Sequence, residues 1–153
     1  MKFSTRRDID LGAEALFRAV SDFNSIERLF VRRGASVCRL DDLDAPGVGM
    51  RWLIGFNWRG QHREITAELA QLDVPEVVVI TGNAEQFDLM IRVTVVALTP
   101  EKSRLIFETE VHPRSMKARL LLQTAKLGKA QLDRKFTKKV GEFIAHIASG
   151  ERA

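Results

Sequence analysis

From residue 35 to residue 113 apolar and polar side chains alternate with a period of two, and no helix can satisfy that period. Met50, Trp52, Ile54, Phe56 and Trp58 form the longest such row. Ile65, Ala67 and Leu69 oppose Glu64, Thr66 and Glu68. Leu89, Ile91, Val93, Val95 and Ala97 alternate with Arg92 and Thr94, and Leu105, Phe107, Thr109 and Val111 alternate with Glu108, Glu110 and His112. Residues 77–81 are β-branched throughout. Each row reads as a strand with one apolar face, and residues 35–40 as a weaker strand. The breaks between them carry loop chemistry: an acidic stretch at 41–47, Gly60, Val74-Pro75-Glu76, Gly82-Asn83-Ala84 and 99–103.

The flanks complete the pattern. Phe3, Thr5, Arg7 and Ile9 share one parity of a first strand. Ala13, Leu16, Phe17 and Val20 recur at helical spacing. A second short helix follows, with Asn24 or Ser25 as its cap and Gly34 at its end. Beyond Pro113, Leu121, Ala125, Leu132, Phe136, Val140, Phe143 and Ile147 hold one helical stripe. A straight helix over 115–149 would run about 50 Å, longer than a small domain is wide, so a bend or break is expected at Gly128. A sheet with one apolar face and a helix with one apolar stripe pack when the sheet curves round the helix. The expected fold is α+β: a curved antiparallel sheet of about seven strands gripping a long C-terminal helix, with two short helices after the first strand. The gap between them is an expected apolar cavity.

The 153 residues suit one domain spanning 1–153. Hydrophobic residues at 45% and charged residues at 29% exclude wholesale disorder and a disulfide scaffold. Cys38 is the only cysteine, which excludes an internal disulfide and any metal site built from two cysteines of one chain. Arg6-Arg7 is followed by no apolar stretch, so neither a signal peptide nor a twin-arginine signal is read. No apolar run approaches the roughly 20 residues of a membrane span. The C-terminal Gly150-Glu151-Arg152-Ala153 carries no lipidation motif. The expected location is cytoplasmic.

Three stretches carry a resemblance. Ile9 followed by Leu11-Gly12-Ala13-Glu14-Ala15-Leu16-Phe17 and Val20-Ser21-Asp22-Phe23 is one, with Gly12-Ala13 where the family has Ala-Pro. Gly47-Val48-Gly49-Met50-Arg51-Trp52 is the second, and residues 116–127 leading into the amphipathic C-terminal helix are the third. Together they resemble the START and polyketide-cyclase-like superfamily (SRPBCC), whose members share the helix-grip fold. That resemblance covers nearly the whole chain. It implies a cavity, and its members include lipid carriers, quinone-binding proteins, hormone receptors, cyclases and toxin–antitoxin components. It implies no particular chemistry.

The expected cavity wall is Trp52, Ile54, Phe56, Ile65, Leu69, Ile91, Val93, Phe107, Leu132 and Phe136. Thr5 and Arg7 share the inward parity of Phe3 and Ile9, so Arg7 either meets an anionic head group in the groove or reaches solvent at the strand end. Same-parity His62 with Glu64 and Glu110 with His112 could form acid–base pairs, but the opposite strand face carries the apolar residues, which places both pairs in solvent. Cys38 reads as a structural thiol, buried or at an edge. Gly47-Val48-Gly49 lacks a third glycine and opens a strand, so it is a turn and no cofactor loop. Asp41, Asp42 and Asp44 lack calcium-loop spacing and read as a solvated loop, and no histidine pair has metal spacing. No catalytic residue, metal or cofactor is assigned.

The formal charge of +4 is unevenly spread. Residues 113–153 carry ten basic and three acidic side chains, a net of +7, which leaves −3 on the first 112. Lys135, Lys138 and Lys139 mark a basic surface, read as a solvated helix face or as a site for an anionic membrane or acidic partner. Nucleic-acid motifs are missing. The first expectation is binding of a small hydrophobic or amphipathic ligand: a lipid, quinone, polyketide or aromatic compound. The alternatives are a cyclase/dehydratase-like enzyme using His112, Arg7 or Glu110, and a peripheral membrane or partner-binding module.

Overall fold

The computed structural model describes residues 1–148; the expected helix end at Ser149 and the C-terminal residues 150–153 lie outside the described residues. The elements follow one another as β1 (Lys2–Ile9), α1 (Ala13–Val20), α2 (Phe23–Arg32), β2 (Ser36–Arg39), β3 (Arg51–Trp58), β4 (Gln61–Asp73), β5 (Val77–Asn83), β6 (Phe87–Thr99), β7 (Lys102–Pro113), α3 (Met116–Lys126) and α4 (Lys129–Ala148). The strands form one antiparallel sheet in the order β1-β7-β6-β5-β4-β3-β2. The first strand thus joins the last, and β2 is the opposite edge.

Period-two alternation sets which side chains share the concave face. Trp52 pairs with Ala67, Ile54 with Ile65, and Phe56 with Arg63. Ile80 pairs with Leu69 on one side and Ile91 on the other. Register slips between Leu69 and Gln71 and between Ala97 and Thr99, and such bulges bend a sheet. Gly49, in the Gly-x-Gly turn, has φ +100°, a left-handed conformation that favours glycine.

The core lies where α1 and α4 meet the β1–β7–β6 side. Leu16, Phe17 and Val20 of α1 and Val140 and Ile144 of α4 are buried with Ile9, Val95 and Leu105. Phe136 reaches the sheet between Phe3 and Phe107, with ring centroids 5.4 and 5.8 Å away. The buried Ser103 hydroxyl donates to the Leu11 carbonyl at 2.7 Å and ties the last hairpin to the α1 approach.

Several local expectations are corrected. The cap of α2 is Asp22, which accepts from the Ser25 amide and hydroxyl at 3.2 and 2.8 Å, rather than Asn24 or Ser25. The C-terminal helix breaks at Leu127-Gly128. That break ends the apolar stripe as one line: Leu121, expected to be inward, is 51% exposed, and the buried position of α3 is Ala118. Among the described residues no helix is long and apolar enough to cross a membrane.

Candidate functional site

The sheet's far half is roofed by α2, not by α4. Between α2 and strands β2–β6 lies a cavity of about 380 Å³, a size typical of small-molecule pockets. Its floor includes Trp52, Ile54, Phe56, Ile65 and Ile91, all expected in the wall from parity alone. Val37, Ala67, Ile80, Gly82 and Leu89 complete the floor, and Phe23, Ile26, Glu27 and Phe30 come down from α2.

The other expected wall residues stand outside this space. Leu69 is fully buried and Val93 nearly so, both within the packed core. Phe107 and Phe136 pack on each other. Leu132 is half-buried on α4 and does not line the cavity. The physical reason is the sheet order. Because β1 joins β7, Phe3 and Phe107 both pack on Phe136 of α4 and fill that side, while the opposite side is covered by the short α2.

The expected polar groups are also elsewhere. Thr5 is half-buried beside Phe107 in the register of β1 and β7, outside the cavity lining. Arg7 points to the helix side but is exposed, with its guanidinium lying over Gly141 of α4; a Cβ there would stand 2.6 Å from Nη2. His62 faces Glu64 at 3.9 Å and His112 faces Glu110 at 3.2 Å, all with solvent access. His112 and Lys2 lower the Glu110 carboxyl below its ordinary value. Cys38 is exposed on the edge strand β2. Lys135, Lys138 and Lys139 are exposed on α4, with Lys139 near Glu142 at 3.8 Å.

The side chains that do organise the site are held by hydrogen bonds. The indole Nε1–H of Trp52 donates to Glu27 Oε1 at 3.0 Å, pinning α2 to β3. Phe23 packs on the same indole at 5.6 Å between centroids. Arg39 lies over the indole ring at 5.8 Å and donates to Asp41 through Nε and Nη2 at 2.9 and 2.6 Å. Asp41 also accepts from the backbone amides of Arg51 (2.7 Å) and Leu43 (3.0 Å). Its side chain is only 6% exposed, so this member of the acidic loop is not solvated. The Arg39 hydrogen bonds first, and the two amides with them, hold its carboxyl well below the usual carboxylate range. The loop is thereby tied to the start of β3.

A second space of about 500 Å³ shares Phe56, Ile65 and Leu89 with the first and forms its vestibule. Trp58, Phe87 and Val111 supply apolar surface there, and Gln61, His62, Glu64, Glu85 and Gln86 give it a polar rim. Arg63 enters it from the floor, because it pairs with Phe56 and shares the parity of Ile65. Its Nη2 donates to Gln61 Oε1 at 3.0 Å, and its guanidinium stands 5.3 Å over the Trp58 ring. Its Nε is buried with no hydrogen-bond partner among the described residues. Such an unmet donor costs about 1–3 kcal/mol. Among the described residues no three His, Cys, Asp or Glu side chains gather as a metal site.

No family model matches the sequence, and no curated protein matches it. Solved structures do. A protein of Thermus thermophilus superposes with a TM-score of 0.71 at 11% identity, covering 99% of each chain. The Zhui aromatase/cyclase of a Streptomyces species gives 0.71 at 13%, covering 100% of this chain and 96% of its own. Norcoclaurine synthase of Thalictrum flavum gives 0.68 at 11%, covering 100% and 88%. At these identities the likeness establishes the fold. The chain has the helix-grip fold, the architecture of the START and polyketide-cyclase-like superfamily.

Proposed function

We propose that the chain binds a small apolar or amphipathic molecule, of the lipid, quinone, polyketide or aromatic class, in the cavity beneath α2. One observation carries this reading: a space of about 380 Å³ is walled by apolar side chains apart from Glu27. Water gains few hydrogen bonds in such a space, and an apolar guest gains dispersion contacts. The likeness to an aromatase/cyclase and to a norcoclaurine synthase solved with dopamine and hydroxybenzaldehyde supports a guest of modest size.

Native mass spectrometry of the purified protein and titration with an anilinonaphthalene-sulfonate probe test the reading. In a Trp58→Phe variant the sole tryptophan is Trp52, so its emission reports the cavity. A bound guest is expected to change that emission. Ile54→Trp, which fills the space, is expected to weaken the probe by about tenfold. No carried molecule and no probe binding to the wild type would overturn it.

The cyclase/dehydratase-like alternative needs an ionisable group in the cavity. Glu27 lines it, with Oε1 engaged by Trp52, whereas Arg7, Glu110 and His112 do not.

A second reading is favoured by α3. Its inner side is Ala118, Leu122 and Ala125, yet Met116, Leu120, Leu121 and Leu127 are 67, 56, 51 and 89% exposed. At 100° per residue Met116, Leu120 and Leu127 form one outward stripe, with Lys117 on one side and Arg119 and Lys126 on the other. From residue 113 to 132 there is no acidic side chain. An apolar stripe between cations suits an anionic lipid surface. This moves the membrane reading from Lys135, Lys138 and Lys139 to α3. Co-sedimentation with phosphatidylserine-containing vesicles but not with phosphatidylcholine vesicles is expected, and equal or no binding to both rejects it.

A further inference from the structure

We propose that Arg63 is the head-group subsite of the cavity and selects an apolar ligand bearing a carboxylate. The inference rests on the cavity reading and adds the polar end of the guest. Arg63 stands on the concave face next to Phe56 and Ile65, at the junction where the apolar cavity opens into its vestibule. Among the described residues it forms no ion pair, although Glu64 and Glu85 line the same vestibule. Its one hydrogen bond goes to a neutral amide, Gln61, and its Nε–H is left over. Trp58 beneath the guanidinium and Gln61 beside it fix the orientation of a cation that forms no ion pair among the described residues.

The missing partner is therefore an acceptor, and an anionic one. A guanidinium presents planar paired N–H groups, which match the two oxygens of a carboxylate. A guest with its apolar body under α2 and its acid group at Arg63 occupies both spaces at once. The acid can sit on a linear chain or on a fused aromatic body, and the shared feature is the carboxylate.

The test compares matched acids and alcohols by isothermal titration at neutral pH: dodecanoate against dodecanol, and 2-naphthoate against 2-naphthol. Wild-type protein is expected to prefer the acid by about tenfold or more in at least one pair, and that pair identifies the body. Arg63→Met is expected to abolish the preference; Arg63→Gln serves the same purpose if Arg63→Met does not fold. Alcohols that bind as well as their acids overturn the subsite and leave the cavity reading standing. A preference that survives the loss of Arg63 overturns it equally. Binding of none of the four removes the cavity reading and the subsite with it.

Discussion

Gly12 sits where a methyl group has no room. A Cβ at that position would lie 2.6 Å from the carbonyl oxygen of Pro100, a backbone atom that cannot swing aside. The residue is the N-cap of α1, so its close approach fixes how α1 meets the β6–β7 hairpin. Gly12→Ala is expected to cost about 1–3 kcal/mol in chemical denaturation, with the fold retained. Other residue-scale features were legible to different depths. Parity puts Trp52, Ile54, Phe56, Ile65 and Ile91 on one face of the sheet, and these side chains line the space beneath α2. The same parity covers Arg63, two positions before Ile65, so the signal for an inward cation was present there. For Arg7 parity left groove and solvent both open, and the side chain is exposed, with its guanidinium over Gly141. Glu27 carried no signal: its partner Trp52 is 25 residues away, and only the docking of α2 on β3 joins them.

At the scale of elements, strands were easier to read than helix placement. Period-two alternation is a local property, and it identifies the central strands of the sheet. Which helix covers which strand depends on sheet order, and the pairing of β1 with β7 is not visible in any local window. The expected long helix covers the β1 side, and the ten-residue α2 covers the cavity. Gly128 did mark the break, since a straight helix would overrun the sheet. Beyond the bend at residues 114–115, Leu120 and Leu127 stand exposed on the outer side of α3 and at its end. Leu120→Ser with Leu127→Ser is therefore expected to leave stability within about 0.5 kcal/mol by thermal unfolding while removing vesicle binding. Binding that persists would place the contact elsewhere.

Across the whole molecule, charge and stability are linked through three carboxylates. Asp41 is lowered by the Arg39 hydrogen bonds, Asp8 by the Arg104 hydrogen bond, and Glu110 by His112. A group whose folded pKa lies below its unfolded value stabilises the fold above the unfolded value. That contribution is lost as pH falls, here below about pH 4. Melting temperature is expected to drop through this range, and less steeply in Asp41→Asn, which starts lower at neutral pH. Parallel pH profiles would show that Asp41 does not carry the effect.

The two roofs of the sheet differ in what it takes to lift them. Removing α4 would tear Phe136, Val140 and Ile144 out of the core. Raising α2 breaks the contacts of Phe23, Ile26 and Leu29, the hydrogen bond from Trp52 to Glu27 and the contact of Arg32 with His146 at 3.4 Å, and it leaves that larger core in place. On the proposed reading, a guest beneath α2 exchanges by a local opening, with the rest of the protein still folded. One short helix would then time its loading and release, and global stability could be high without making the cargo slow.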